Sequence, residues 1–166
     1  MIELPQAGPA PVRVTSEWTR QDRIGAVRCR LGGFRNRYRV APGLHALGHP
    51  GPEAPVCVSA NYKLSYDLLR KALRGIDAWI LVLDTKGINV WCAAGKGTFG
   101  TDEIVARAEA SRLASRVSHR EIIVPQLGAP GVAAHAVEKQ SGFRVRFGPV
   151  RAADLPAYLA AGRQAT

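Results

Sequence analysis

Apolar residues recur along this chain with two different periods, and the switches between them mark its elements. Ala54 to Ala60, with Pro55-Val56-Cys57-Val58-Ser59 inside it, is a short apolar run of the kind that makes a strand buried on both faces. After Asn61, the residues Leu64, Leu68, Leu69 and Ala72 return at helical spacing and predict a helix from Tyr62 to Leu73. Ala78-Trp79-Ile80-Leu81-Val82-Leu83 is a second buried strand. Thr101-Asp102-Glu103 opens a helix to about Val117, with Thr101 as N-cap and acidic side chains suited to the positive helix end. Glu121 to Val124 is a third strand, and Pro125 to Gly131 turns into a helix from Val132 to about Gln140. Phe143 to Phe147 is a fourth strand, followed after Gly148-Pro149 by a last helix from Ala152 to Ala160. Strand and helix alternate throughout, so the pattern predicts an α/β fold: a Rossmann-like parallel sheet with helices on both faces.

Ahead of this body the pattern is weaker. Residues 1–11 are rich in proline, glycine and alanine, and poor order is expected there. From Val12 to about Leu47, short β-like pieces (Val12 to Thr15, Tyr38-Arg39-Val40) alternate with turn signals at Gly32-Gly33 and Pro42-Gly43. Residues 1–50 are therefore read as a β-rich lead-in and 51–166 as the main domain, with Gly48-His49-Pro50-Gly51-Pro52 as the hinge. A length of 166 residues suits one domain with a proper core.

The stretch Asp84 to Thr98 follows the second strand, and in open α/β sheets ligands bind just past the carboxyl ends of such strands. Ile88 to Ala94 is apolar, too short for an ordinary helix, and bounded by Gly87, Gly95 and Gly97. It reads as a short cap helix stopped by Gly95, with Asn89 as N-cap, from which Cys92 projects at the ligand-binding end of the sheet.

Charge and cysteine content narrow the partners. The formal net charge is +10, and Arg20, Arg23, Arg28, Arg30, Arg35, Arg37 and Arg39 crowd the N-terminal quarter. That distribution argues against a nucleic-acid binder; it fits a solvated basic surface or attraction to an acidic partner or an anionic membrane surface. No apolar run approaches the ~20 residues of a membrane-spanning helix. The three cysteines, Cys29, Cys57 and Cys92, show no zinc spacing, and their odd number favours a reducing cytoplasm.

Several motifs bear on chemistry. Gly95-Lys96-Gly97-Thr98 suggests a phosphate loop but fails its spacing, since GxxxxGK must run directly into Ser or Thr. Gly128-Ala129-Pro130-Gly131 either presents backbone N–H groups to a ligand or is a plain turn. His45 and His49 lie among Pro42, Gly43, Gly48 and Pro50, which break any helix aligning them as metal ligands, so both read as solvated loop residues. Cys92 has three readings: a buried structural thiol, a hydrolase nucleophile needing a histidine (His45, His49, His119 and His135 all lie in separate segments), or a soft thiolate ligand to a metal carried by a cofactor.

Asn89-Val90-Trp91-Cys92-Ala93-Ala94-Gly95-Lys96 resembles the cap-helix signature of the corrinoid protein of bacterial and archaeal mercury methylation. The likeness extends over Ser59 to Ser65, Asp84 to Gly87, Pro125 to Ala129, Ser141 to Phe143 and Phe147 to Ala152, covering nearly everything after Tyr38. At a greater distance the chain is similar to the large subunit of the corrinoid iron-sulfur protein of acetyl-CoA synthesis. The resemblance implies a cobalamin or another cobamide bound on residues 51–166 with its nucleotide base displaced from cobalt.

It further implies that Cys92 ligates cobalt from the lower side and that methyl is passed to inorganic Hg(II). Asn89, Val90, Trp91, Ala93 and Ala94 would lie flat against the macrocycle, the two alanines small because the backbone approaches the ring. Gly95, Lys96, Thr98 and Thr101 on one loop, and Gln126, Leu127, Gly128 and Ala129 on another, would meet corrin amides and the nucleotide tail, with Ser59, Asn61, Gly148 and Val150 completing the site. A ferredoxin-like iron-sulfur reductant and a methyl-donor methyltransferase are the implied partners. The family continues into a C-terminal membrane domain, so this chain is expected to be an excised cytoplasmic domain, tethered in the full-length protein to the inner membrane, or a soluble relative. The alternatives are a methyl-carrier module of the acetyl-CoA type, handing methyl groups to a separate enzyme, and a structural domain with an inert Cys92.

Overall fold

The computed structural model describes residues 8–31 and 39–162. Its strands are β1 (Val12–Val14), β2 (Gly43–Leu47), β3 (Val56–Ala60), β4 (Ala78–Leu83), β5 (Glu121–Val124) and β6 (Arg144–Phe147). Its helices are α1 (Arg20–Arg30), α2 (Lys63–Ala72), α3 (Val90–Lys96), α4 (Thr101–Ala110), α5 (Leu113–Arg116), α6 (Ala134–Ser141) and α7 (Leu155–Ala160), with 3-10 turns at Gln126–Gly131 and Ala152–Asp154.

The strands form one six-stranded sheet in the order β1-β2-β4-β3-β5-β6. The four body strands are parallel, which suits the continuous apolar runs of the central β3 and β4. The sheet is nevertheless mixed, because β2 runs antiparallel to β4, Gly43 opposite Val82 and Leu47 opposite Ala78, and β1 lies parallel to β2. Alternate residues of the central strands feed two cores. Val58, Ala60, Leu81, Leu83 and Val124 pack with Ala93, Ile104 and Val137 on one face. Cys57, Ile80, Val82 and Ile123 pack with Leu69, Leu73, Leu155 and Tyr158 on the other.

Several boundaries differ from the sequence reading. The lead-in is not only β: it contains α1, whose Ile24 and Val27 face solvent, so no core-facing apolar stripe betrays the helix. Arg39 makes an isolated antiparallel bridge to Tyr62, while Tyr38 and the Gly32-Gly33 turn lie outside the described residues. The helix expected to reach Val117 stops at Ala110, because Arg112 takes a left-handed conformation (φ 49°) and α5 starts afresh. His45 is not a solvated loop residue. It is buried in the middle of β2, with Nδ1 2.7 Å from the Tyr66 hydroxyl and Nε2 2.8 Å from the Ala41 carbonyl. One proton on Nε2, donated to Ala41, with Nδ1 accepting from Tyr66, satisfies both contacts, and burial pushes the imidazole pKa down toward that neutral form.

An ion cluster clamps the N-terminal segment to α2. Asp67 accepts from Lys63 at 2.8 Å and Arg70 at 2.7 Å, Lys63 also donates to Asp22 of α1 at 2.7 Å, and Arg70 reaches the Thr15 carbonyl. Burial raises the Asp22 pKa, but hydrogen bonds from Lys63 and Thr19 outweigh it and hold the carboxyl at about 2. An unfolded Asp titrates near 3.9, so Asp22 contributes on the order of 2 kcal/mol of stability above about pH 4, lost as pH falls from about 4 toward 2. Urea unfolding at pH 6, 4 and 2.5 should show this loss, and Asp22→Asn should remove most of that segment of the pH curve. An equal acid loss in the variant would refute the assignment.

Candidate functional site

The topology names the site before any side chain does. From β3 the chain crosses to β4 on one side, and it later returns to β5 on the other side of β3 before continuing outward to β6. Such a reversal opens a crevice outside the carboxyl ends of the two strands concerned, here β3 and β5. A cavity of about 970 Å³ lies there. Its floor is Cys57, Val58 and Ser59 of β3 with Ile123 of β5; one wall is α2, through Ser65, Leu68, Leu69 and Ala72, and the other is Gly148 to Ala153. The amino end of α3 closes the top with Asn89, Val90 and Trp91.

A tightly held loop sets the position of α3. The Oδ1 of Asn61 accepts from the backbone N–H of Thr85 at 3.0 Å and of Gly87 at 2.9 Å. With both lone pairs taken, the single Thr85 hydroxyl proton goes to the Ile88 carbonyl at 2.7 Å. Lys86 and Gly87 have φ of 58° and 71°, a conformation glycine adopts freely and Lys86 adopts under this restraint. Asp84 accepts from the Lys86 backbone and ammonium groups, and these bonds lower its pKa against the opposing effect of burial.

Asn89 then caps α3, its Oδ1 accepting from the Cys92 N–H at 2.9 Å, as the sequence predicts. The helix does not stop at Gly95. It runs to Lys96 and ends on Gly97, whose φ of 81° is the left-handed conformation of a glycine stop. The Gly-Lys-Gly-Thr run is thus a helix terminus, with the fully buried Phe99 as its anchor.

The faces of α3 correct one expectation. Ala93 and Ala94 do not face outward toward a ring; they are buried, and their small size lets the 3-10 turn pack against them. A Cβ on Gly131 would sit 3.2 Å from the Ala94 Cα and collide with the Phe99 carbonyl, so small residues are needed on both sides. The opposite face carries Trp91, Cys92, Gly95 and Lys96. Cys92 is a free, half-buried thiol there, and a Cβ on Gly95 would meet nothing within 4 Å.

The remaining residues named from sequence divide in two. Ser59, Asn89, Val90, Trp91, Leu127, Gly148 and Val150 line the cavity. Asn61 is 3% exposed and acts as a positioning residue for the loop before α3. Thr101 does not cap α4; Gly100 occupies that place, and the Thr101 hydroxyl accepts from the Ala133 N–H at 2.9 Å. The Thr98 N–H donates to the Ala93 carbonyl at 3.0 Å, closing α3. Gly128 is buried under the Phe99 ring, where a Cβ would clash, which accounts for glycine at that turn without a ligand. Gln126 and Lys96 are exposed and Ala129 half-buried, all away from the cavity lining. The α2 wall is not legible in the sequence: Leu68 reads as part of a core stripe, yet it is 39% exposed at the cavity. Nor does the sequence mark Lys71 and Arg151, which bring positive charge to an otherwise largely apolar site.

A six-stranded, mostly parallel α/β sheet with a short cap helix over its switch-point cavity places the chain in the Rossmann-like class. The family described as CO dehydrogenase/acetyl-CoA synthase delta subunit matches residues 33–159, and the chain belongs to that family. The gamma subunit of the acetyl-CoA decarbonylase/synthase complex of Archaeoglobus fulgidus is 32% identical over 127 residues, covering 75% of this chain and 27% of that protein. The gamma subunit from Methanopyrus kandleri is 31% identical over 127 residues, with coverage of 75% and 27%. The chain thus spans about a quarter of the length of these relatives. Proteins of this family bind a cobalt corrinoid. The family shown is the more distant of the two that the sequence resembles.

Proposed function

We propose that this chain is a cobamide-binding domain that serves as a carrier in methyl transfer. The observation that carries the reading is the pairing of a large, mostly apolar switch-point cavity with a free thiol on the outward face of the adjoining cap helix. The residues fit the group. A soft thiolate is a suitable axial donor to cobalt, and Gly95, one turn from Cys92, leaves that face open for a flat macrocycle. The cavity suits the displaced nucleotide tail, with Lys71 and Arg151 matching its phosphate charge.

When bound, the cobamide supplies a cobalt centre able to accept and release a methyl group. Every other task falls to the chain. Cys92 would hold the group through its thiolate, the Asn89 cap and the Asn61 loop hold the Cys92 backbone in place, and Leu68, Val90 and Trp91 would shield the tail from water. A ferredoxin-like reductant and a methyl-donor methyltransferase complete the cycle as partners, in the cytoplasm.

The family match supports delivery of the methyl group to a separate enzyme of a complex, as the relatives' names describe a complex. The second reading is delivery to inorganic Hg(II), and Cys92 itself favours it. The thiolate of Cys92 would hold the group and donate electron density to it, an environment suited to passing methyl to an electrophile such as Hg(II). Incubating the chain with cobalamin, followed by gel filtration with cobalt and visible-spectrum detection, tests the common reading. Cobalt should co-elute with the protein and the spectrum should show the benzimidazole base displaced. Free-cobalamin spectra with no cobalt in the protein peak would overturn it. Adding Hg(II) to the methyl-loaded domain alone then separates the two acceptors.

A further inference from the structure

Helix α1 is turned inside out relative to an ordinary surface helix. Its only acidic residue, Asp22, points inward with Ala26, both being buried, and pairs with Lys63 and Arg70 of α2. Its aliphatic residues point the other way. Ile24 is 54% exposed, Val27 55% and Leu31, just past the helix end, 81%. At 100° per residue these three fall on one outward stripe. Arg20, Arg23, Arg28 and Arg30 are also exposed; Arg23 and Arg30 flank the stripe on one side and Arg28 on the other. No carboxylate of α1 shares that surface.

We infer that the outward face of α1 docks on an anionic lipid surface, with Ile24, Val27 and Leu31 entering the headgroup boundary and the arginines meeting lipid phosphates. Arrangement and charge both favour this occupant. An aliphatic stripe bordered by arginines is the layout of a helix lying in a membrane interface, where guanidinium groups reach up to the headgroups and their stems lie along the apolar stripe. The net charge of +10 adds long-range attraction to an anionic leaflet. A single helix also offers too little area for a standard protein interface, which takes ~800 Å² per partner, whereas interfacial insertion needs only the helix. The docking is reversible: three aliphatic side chains are far from a spanning segment, and among the described residues no helix is long and apolar enough to cross a membrane.

The test is co-sedimentation of the whole chain with vesicles of phosphatidylcholine alone and of phosphatidylcholine with phosphatidylglycerol. Binding is expected to the anionic vesicles only. A basic protein can adsorb by charge without inserting, so the charge-neutral double variant Ile24→Gln, Val27→Gln is decisive. Both side chains are more than half exposed, so its thermal unfolding should match the parent chain, while its sedimentation should fall at least tenfold. Arg23→Gln with Arg30→Gln should lower binding about 25-fold, at roughly fivefold per basic residue. Undiminished binding by the glutamine variant Ile24→Gln, Val27→Gln shows surface adsorption and overturns the proposal. Absence of binding to anionic vesicles by the parent chain overturns it too and leaves an acidic protein as the occupant.

Discussion

Cys92→Ala will leave the domain folded and still able to take up cobalamin, but its visible spectrum will lack the thiolate–cobalt signature and methyl transfer to Hg(II) will fall below detection. The reason lies in where the side chain stands. Cys92 sits half-buried on the outer face of α3, and the contact that positions it runs from its backbone N–H to Asn89, which alanine preserves. Alanine is also the better helix former, by a few tenths of a kcal/mol, so the cap does not loosen. Cys57 provides the internal comparison. It too lies outside any disulfide, but it is 2% exposed in β3, opposite Ile80 and Ile123 in register. Cys57→Ala should therefore cost stability through a small cavity while keeping the spectral signature, and Cys29→Ala should keep it as well. Transfer by Cys92→Ala at the parent rate would remove the thiolate from the mechanism and leave only the carrier reading.

The parts of the fold legible in the sequence are those where burial is two-sided. Val56 to Ala60 and Ala78 to Leu83 are buried at every position, so they read as apolar runs without competing signals. Asn89 was legible as a cap for a local reason: its side chain bonds three residues ahead, within the motif itself. What escaped reading depends on distant packing. Asn61 looks like a polar residue at a ligand-binding strand end, and only the register of β3 against the loop after β4 shows that its amide serves Thr85 and Gly87. Ala93 and Ala94 are small in either orientation, and the motif carries no mark of which side faces in; the 3-10 turn, well ahead in sequence, decides it. Helix α1 escaped because apolar periodicity is read as a core-facing stripe, and here the stripe faces out. The antiparallel placement of β2 was invisible for a similar reason, since Leu44, Ala46 and Leu47 would be apolar in a strand of either direction.

That reversal of the α3 faces moves the decisive small residue from Ala93 to Gly95 and yields the second large effect. A proline at Ala93 would not test the cap cleanly, because Ala93 is fully buried and its N–H donates to the Asn89 carbonyl at 2.9 Å. Gly95→Leu tests the outer face instead. Gly95 lies within α3 without a positive φ, and a Cβ there meets nothing within 4 Å, so leucine enters without strain. Replacing a helical glycine by a strong helix former stabilises by about 0.5–1 kcal/mol. Thermal unfolding of the variant should therefore occur at or above the parent temperature. Cobalamin uptake should move in the opposite direction. A leucine side chain one turn from Cys92 would stand between the helix and a flat ring, holding the ring beyond reach of the sulfur. The expected result is a domain at least as stable as the parent whose cobalamin affinity drops tenfold or more, with the thiolate–cobalt signature lost. Opposite signs in the two measurements separate a binding face from a structural role, since damage to the fold would lower both. If Gly95→Leu binds cobalamin with the parent spectrum, the corrin does not rest on this face of α3, and the placement of Cys92 as its lower ligand falls with it.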